Sequence, residues 1–208
     1  MFELFADATP NARKISIMLE EIQKPYKVTH IDIEKGDQFK NHFKKISPFS
    51  KIPILKNLLT NQTYFESGAI LIYLAELSGN FYGQDKDLTN QWLMAQMAYV
   101  GPMFGQHHQF NYYHPGKSKF GEERFYNIVK FIYEMLDRHL EKNEFLARQY
   151  YIADIATFPW IARHPIHDIG LKNYSHLSRW YKMIKIRPAI LKGYDLFKDK
   201  SYPPEVYK

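Results

Sequence analysis

Thr9-Pro10-Asn11 is the stretch whose residue types and spacing could do chemistry. It stands where a short apolar run, residues 2–5, gives way to a helical pattern beginning near Ala12. A threonine followed by proline is a helix start. The hydroxyl can serve the first-turn amides, and Pro10 fits the first helical position because its missing N–H would have no intrahelical partner. Asn11 then falls in the first turn. At such a junction backbone donors and the positive end of the helix dipole point outward together, so it can hold an anion, a thiolate included. The chain has no cysteine. It brings no sulfur nucleophile, disulfide or Cys-based metal site of its own, and any thiol chemistry must use a sulfur from elsewhere. Read alone, Thr9 can also be a cap and nothing more.

The other conspicuous groups are histidines: His107-His108, His114, and His164 with His167. A zinc site needs three or four convergent ligands, and no acid stands at telling spacing around either cluster, so no metal is expected. Between Phe5 and Ala12 there is no Tyr, Ser or Cys that could activate a bound thiol.

Several elements must position these residues. A strand over 2–5 leads to a helix in which Ile15, Met18, Leu19 and Ile22 recur at helical spacing, closed by Lys24-Pro25. A second strand over 27–33 ends at Glu34-Lys35-Gly36, and a short helix over 38–45 follows. Next come a loop at Ser47-Pro48-Phe49-Ser50, an extended piece over 52–55 carrying Pro53, and a hairpin partner over 58–64 turning at Asn61. Glu66-Ser67 then caps a helix whose buried face is marked by Ile70, Leu74 and Leu77, ending at Gly79-Asn80. The order βαβ then ββα predicts a small mixed sheet in a first domain over 1–79.

Residues 80–88 are polar and aperiodic and read as a linker. Beyond it the pattern is helical throughout. Trp92, Ala95, Tyr99 and Met103 share one helix, and Phe125, Val129, Ile132, Leu136 and Leu140 the next; further helices fall over 152–161, 177–186 and 188–196. An all-helical second domain over 89–208 is expected, making the chain α+β. Pro102 should bend its helix at Gly101-Pro102, with the bend lining a cleft and His107 and His108 below it.

At 208 residues and 45% hydrophobic, the chain can bury roughly 70% of its unfolded surface. Apolar run 69–75 is far below membrane-spanning length, and no basic segment with an apolar stretch opens the chain. A soluble, cytoplasmic protein is expected. The formal charge of +6 is spread among acids, as in Lys198-Asp199-Lys200, so neither a nucleic-acid nor a membrane partner is expected.

Together, "TPN", "ISPFSKIPIL", "FESGAILIYLAE", "GPMFGQHHQFN" and "YYIADIA" resemble the nu class of glutathione transferases, bacterial glutathione-dependent disulfide-bond oxidoreductases, over nearly the whole chain. The resemblance implies a thioredoxin-like domain followed by a helical bundle. It implies that Pro53 is a cis-proline, turning the N–H and C=O of Ile52 toward glutathione's cysteinyl backbone; from the residues alone it is an ordinary edge proline. Ser67 would take the γ-glutamyl carboxylate and Glu66 the ammonium, where a plain capping pair is the alternative. Gln38 and Lys51 would reach the glycyl end, or else are solvated surface residues.

Thr9 and Asn11 would hold the thiolate. A thiol of pKa ~8.5 becomes mostly ionised at neutral pH if shifted by about two units, or ~2.7 kcal/mol. One or two charge-assisted hydrogen bonds at roughly 1.5–3 kcal/mol each suffice, here from the Asn11 N–H and the Thr9 hydroxyl. With no protein cysteine, two glutathiones per site are needed, one to attack and one to resolve. In the class, an arginine of a neighbouring subunit helps, and Glu123-Arg124-Phe125 matches that piece. Arg124 lies about 100° around the helix from Phe125, as a residue reaching across a homodimer interface would, or as a solvated arginine would. Phe104, His107, His108 and Phe110 would shape the pocket for a small disulfide or electrophile. A conjugating transferase or peroxidase, and a regulatory glutathione-binding protein, are the alternatives. One departure is Tyr151, which stands where relatives carry a Ser or Thr cap, with Asp154 kept; such a loss costs about 1 kcal/mol.

Overall fold

The structure, a computed structural model, describes residues 1–197 and 202–206. Lys198, Asp199 and Lys200 lie outside the described residues. Strand β1 (Phe2–Ala6) alternates buried and half-buried positions, with Phe2, Leu4 and Ala6 inward. It pairs in parallel with β2 (Tyr26–His30) and antiparallel with β3 (Ile54–Asn57), which pairs antiparallel with β4 (Thr63–Tyr64). The sheet order is β2-β1-β3-β4. Helix α1 (Pro10–Glu21) makes the crossover that a parallel β1/β2 pair requires.

The sequence extends three of these elements too far. The second strand ends at His30, not residue 33, because Asp32 and Asp37 organise a loop: the Asp32 carboxylate accepts from Lys35 N (3.0 Å) and the Asp37 carboxylate from Asp32 N (3.2 Å). The expected helix over 38–45 breaks at extended Lys40 into a 3₁₀ turn, Asp37–Phe39, and α2 (Asn41–Lys44). Of 58–64 only Thr63–Tyr64 pairs, since Asn57 Oδ1 gathers the amides of Leu59 (3.0 Å) and Thr60 (3.4 Å) into a turn. Helix α3 (Ser67–Ser78) buries Ile70, Leu71, Leu74 and Ala75, whereas Leu77, expected on that face, is exposed.

The chain divides into two compact units, residues 1–82 with 187–202, and 83–186 with 203–208. Helix α9 (Pro188–Tyr194), placed by the sequence in the helical domain, packs against α1 in the first unit. Three contacts fix it. Ser16 Oγ donates to Gly193 O (2.7 Å), Arg187 pairs with Glu21 (2.7 Å), and the Arg13 guanidinium lies 4.2 Å from the centre of the Tyr194 ring. Gly193 is needed for the approach, because a Cβ there would fall 2.7 Å from Ile17 N.

The second unit is helical. Helix α4 (Lys86–Ala95) runs through a π-helical turn, Gln96–Val100, into α5 (Gly101–His107) and a further π-helical stretch, His108–Tyr113. The first widened turn sits directly before Pro102, whose missing amide forces the helix to adjust there. The buried stripe is Thr89, Leu93, Gln96, Val100, Phe104 and His107, one residue round from the expected Trp92, Ala95, Tyr99 and Met103; Tyr99 is exposed. Hydropathy misses this register because Thr89, Gln96 and His107 are polar residues facing inward. Helix α6 (Lys119–Lys142) buries Val129, Ile132, Tyr133, Leu136 and Leu140. Helix α7 (Ile152–Ile161) is buried at all ten positions, and α8 (Ser175–Lys185) packs on α6. No helix among the described residues is long and apolar enough to cross a membrane.

Candidate functional site

Strand directions bring four chain segments to one end of the sheet. Phe5 pairs with Ile54 and Leu55 with Tyr64, so the end of β1, the start of β3 and the exit of β4 are neighbours. The parallel β1/β2 pair puts the exit of β2 there too. The loop into α1, the Ile52-Pro53 turn, the start of α3 and the segment carrying Gln38 all leave from this end.

At α1, Thr9 is the cap residue in extended conformation, and its Oγ1 accepts from Ala12 N at 3.4 Å. The cap uses a lone pair and leaves the hydroxyl proton to donate elsewhere. No acid stands in the first turn of α1. Thr9 and Asn11 are both half-buried. Asp7, which the sequence reading passed over, braces the approach: its carboxylate accepts from Ala8 N (2.7 Å) and Ile33 N (3.3 Å) and faces His30 Nε2 at 3.4 Å. An aspartate two residues ahead of the cap was the available signal. Gln38 is tied into the same assembly, donating from Nε2 to Ile33 O at 3.2 Å, while its buried Oε1 has no partner among the described residues.

The Ile52-Pro53 bond is cis. The ladder with β1 begins at Ile54, so the Ile52 backbone lies outside it, while the Ile52 side chain packs on the cluster of Ile31, Phe43 and Ile54. Buried Ser47 fixes Lys51 by its backbone, Oγ donating to Lys51 O (2.8 Å) and accepting from Lys51 N (2.9 Å); the Lys51 side chain is exposed.

At α3 the residue roles shift by one from the expected capping pair. Glu66 is the cap residue, at φ 67° and ψ 114°, and its side chain makes no capping bond. A left-handed φ on a non-glycine residue costs on the order of 1–3 kcal/mol, and such strain concentrates where geometry is functional. Ser67 is the first residue of the helix, buried, with its Oγ accepting from Lys14 Nζ at 3.3 Å. Lys14 was also missed. It is 1% exposed, and burial lowers its pKa to about 7, with the Glu66 charge opposing. Its signal was a lysine at apolar spacing, three before Ile17 and four before Met18.

Residues 8–77 match the family described as Glutathione S-transferase, N-terminal domain. Disulfide-bond oxidoreductase YfcG of Escherichia coli is 37% identical over 198 residues, covering 91% of this chain and 92% of that protein. The chain belongs to the glutathione transferase superfamily of enzymes. Disulfide-bond oxidoreductase YghU of the same organism is 34% identical, covering 92% and 73% of the two chains. Among solved structures, a glutathione transferase from Pseudomonas putida, with one glutathione disulfide bound per subunit, is 37% identical at TM-score 0.89, covering 94% of this chain and 91% of that one. Another family member, from Pseudomonas fluorescens, with two glutathione bound, is 39% identical at TM-score 0.86, covering 93% and 92%. The sheet and helices described above are the thioredoxin-like fold of this superfamily.

The second unit holds the remaining site candidates. Phe104, His107 and His108, expected to line a pocket, are instead buried in the helical core, and Phe110 is half-buried with its ring 5.3 Å from that of Phe125. The cause is a polar core that aromatic density conceals. His167 is fully buried, its Nε2 2.9 Å from His108 Nε2 and its Nδ1 2.7 Å from Tyr133 Oη, while His107 Nε2 lies 3.0 Å from His167 O. Two facing Nε2 atoms can bond only if one carries a proton and the other does not. Burial keeps both rings neutral, taking His108 down to about 3 and His167 well below the ordinary histidine value, so the bond forms when one ring presents Nε2–H to the bare Nε2 of the other. No group of three or more acids and histidines among the described residues is arranged to hold a metal. Arg124 is exposed on α6.

Tyr151 precedes α7 without acting as a side-chain cap; its hydroxyl donates to Gln149 Oε1 at 3.2 Å. Asp154 does the capping. Buried completely, it accepts from Tyr151 N (3.2 Å), Leu146 N (3.0 Å) and Trp180 Nε1 (2.7 Å).

Proposed function

We propose that this protein is a glutathione-dependent disulfide-bond reductase in which two glutathiones occupy one site and no protein cysteine takes part. The first thiolate attacks the substrate disulfide, giving a glutathione mixed disulfide and releasing one substrate thiolate. The second attacks the glutathione sulfur of that mixed disulfide, giving oxidised glutathione and the second substrate thiolate. In this reading the Asn11 N–H and Thr9 hydroxyl hold the attacking thiolate at the start of α1, and the Ile52 backbone pairs with the cysteinyl backbone as an added strand. Glu66 and Ser67 take the γ-glutamyl end. Gln38 and Lys51 take the glycyl end. Arg124 serves the second, anionic tripeptide from across a homodimer.

The observation that carries the reading is the meeting of the α1 start, an Ile52 backbone outside the ladder and the α3 start at one sheet end, in a chain without cysteine. The test is a coupled assay with glutathione, glutathione reductase, NADPH and hydroxyethyl disulfide. Glutathione-dependent NADPH oxidation is expected. Its absence, with conjugation of a chlorodinitrobenzene-type electrophile present, would replace the reductase by a conjugating transferase; inactivity in both assays despite glutathione binding would leave a regulatory binder.

A further inference from the structure

Lys14 joins the two helix starts on which the proposed site depends. It lies three residues after Asn11 on α1, and its Nζ reaches Ser67 Oγ, the first side chain of α3, at 3.3 Å. Lysine is among the residues least often buried, yet this one is 1% exposed beside the γ-glutamyl end of the site. We propose that Lys14 is a positioning residue for the ligand's α-carboxylate: its amine takes up a proton as that carboxylate binds, and the ammonium so formed sets the direction of the Ser67 hydroxyl. The inference rests on the glutathione reading above.

The direction follows from donor counting. An ammonium has three protons and no lone pair, so Ser67 Oγ must accept from it, and the Ser67 proton must then serve another acceptor. A neutral amine has a lone pair and can draw the Ser67 proton inward. The ammonium therefore presents Ser67 as a donor to a carboxylate, and the amine withdraws it. Both forms are accessible near neutrality, since burial holds the lysine at about 7 against the pull of Glu66. A carboxylate arriving at the α3 start adds a second negative charge and favours the ammonium. The ligand's own ammonium arrives with it and meets the exposed Glu66 carboxylate, which leaves the new anion to Ser67 and Lys14.

On α9, Arg187 is held by Glu21, and Tyr194 lies against Arg13. On β1, Glu3 is held by Lys27 and Thr29. Glu66 is the charged side chain that acts on Lys14 from the α3 side.

The probe is S-methylglutathione, which keeps the γ-glutamyl carboxylate and has no thiol to titrate. Titration calorimetry at pH 7.5 in buffers of different ionisation enthalpy should show uptake of about half a proton per site or more by the wild type. Its Kd should rise about tenfold between pH 6.5 and 8.5 as Lys14 loses its proton. Lys14→Met should bind about tenfold more weakly at pH 6.5, take up no proton and lose the pH dependence. It should fold, because it exchanges a buried amine for an apolar side chain of similar length. As an arm independent of any variant, the wild-type Lys14 ¹³Cε resonance should titrate near pH 7 without ligand and at higher pH with it. Binding without proton uptake, uptake retained in Lys14→Met, or a resonance whose titration ignores the ligand would overturn the inference. Failure of the wild type to bind S-methylglutathione would instead overturn the glutathione reading.

Discussion

Replacing Asp154 by alanine removes the acceptor of three donors at once: Leu146 N and Trp180 Nε1 on Oδ1, and Tyr151 N on Oδ2. The carboxylate is wholly buried, so water cannot readily substitute. Each stranded buried donor costs ~1–3 kcal/mol, and three that share one space and partly relax should cost about 3–5 kcal/mol together. Asp154→Asn separates the contributions. Its oxygen can keep the two Oδ1 bonds, but its amide then faces the Tyr151 N–H, donor against donor, and about 1–3 kcal/mol is expected. Urea unfolding followed by tryptophan fluorescence measures both, with Trp180 as a reporter inside the network. The pH dependence adds a second constraint. Burial lifts the Asp154 carboxyl from 3.8 to about 6, against hydrogen bonds from Leu146, Trp180, Tyr151 and its own amide that favour the charge. A folded value above the unfolded one gives a contribution that is full below about pH 4 and lost as pH rises through about 6. The gap between wild type and Asp154→Asn should therefore narrow from pH 4 to 7, by at most about 3 kcal/mol. An Asp154→Ala midpoint within about 1 kcal/mol of wild type would refute the view that this carboxylate replaces the missing hydroxyl cap.

Asn11→Ala should lower turnover in the hydroxyethyl disulfide assay more than it weakens glutathione binding; unchanged turnover would mean that the thiolate is held elsewhere. Gly193→Ala puts a Cβ 2.7 Å from Ile17 N and should cost about 1–3 kcal/mol in urea unfolding, whereas an unaffected midpoint would show that α9 yields without loss. Burial lowers His108 to about 3, so the unfolded chain binds more protons between there and about 6.5, and wild-type stability should fall as pH drops through that window. His108→Phe should lower stability at pH 7 by ~1–3 kcal/mol, through the stranded His167 Nε2, and flatten the acid limb; a limb as steep as wild type would place the responsible groups elsewhere.

The elements of the first unit were legible because their residues obey local rules: Thr9-Pro10 starts a helix wherever it lands, and Phe2, Leu4 and Ala6 alternate as a half-buried strand must. The cis bond at Pro53 and the family came from combining weak motifs. Polar residues facing inward were not legible. Lys14, His107 and Asp154 are buried for partners distant in sequence, and hydropathy assigns each to solvent. The packing of α9 escaped for a related reason: its contacts with α1 join residues about 170 positions apart, such as Ser16 and Gly193, which no periodicity connects. Sequence alone makes Asp154 part of a damaged cap, because the indole of Trp180, which completes its bonding, lies 26 residues onward.

That packing has a consequence for how the enzyme comes into being. Synthesis is vectorial, and the strands, α1 and α3 leave the ribosome long before residue 194. Until α9 arrives, the Ile17 backbone and Ser16 hydroxyl that it covers stay open to water, and Arg13 and Glu21 lack Tyr194 and Arg187. The nascent first unit stays unfinished until the chain has been made through α9, which brings its missing contacts long after the strands and α1 have emerged. A transcript cut between α3 and α9 would encode Thr9 and Asn11 and still leave α1 half supported.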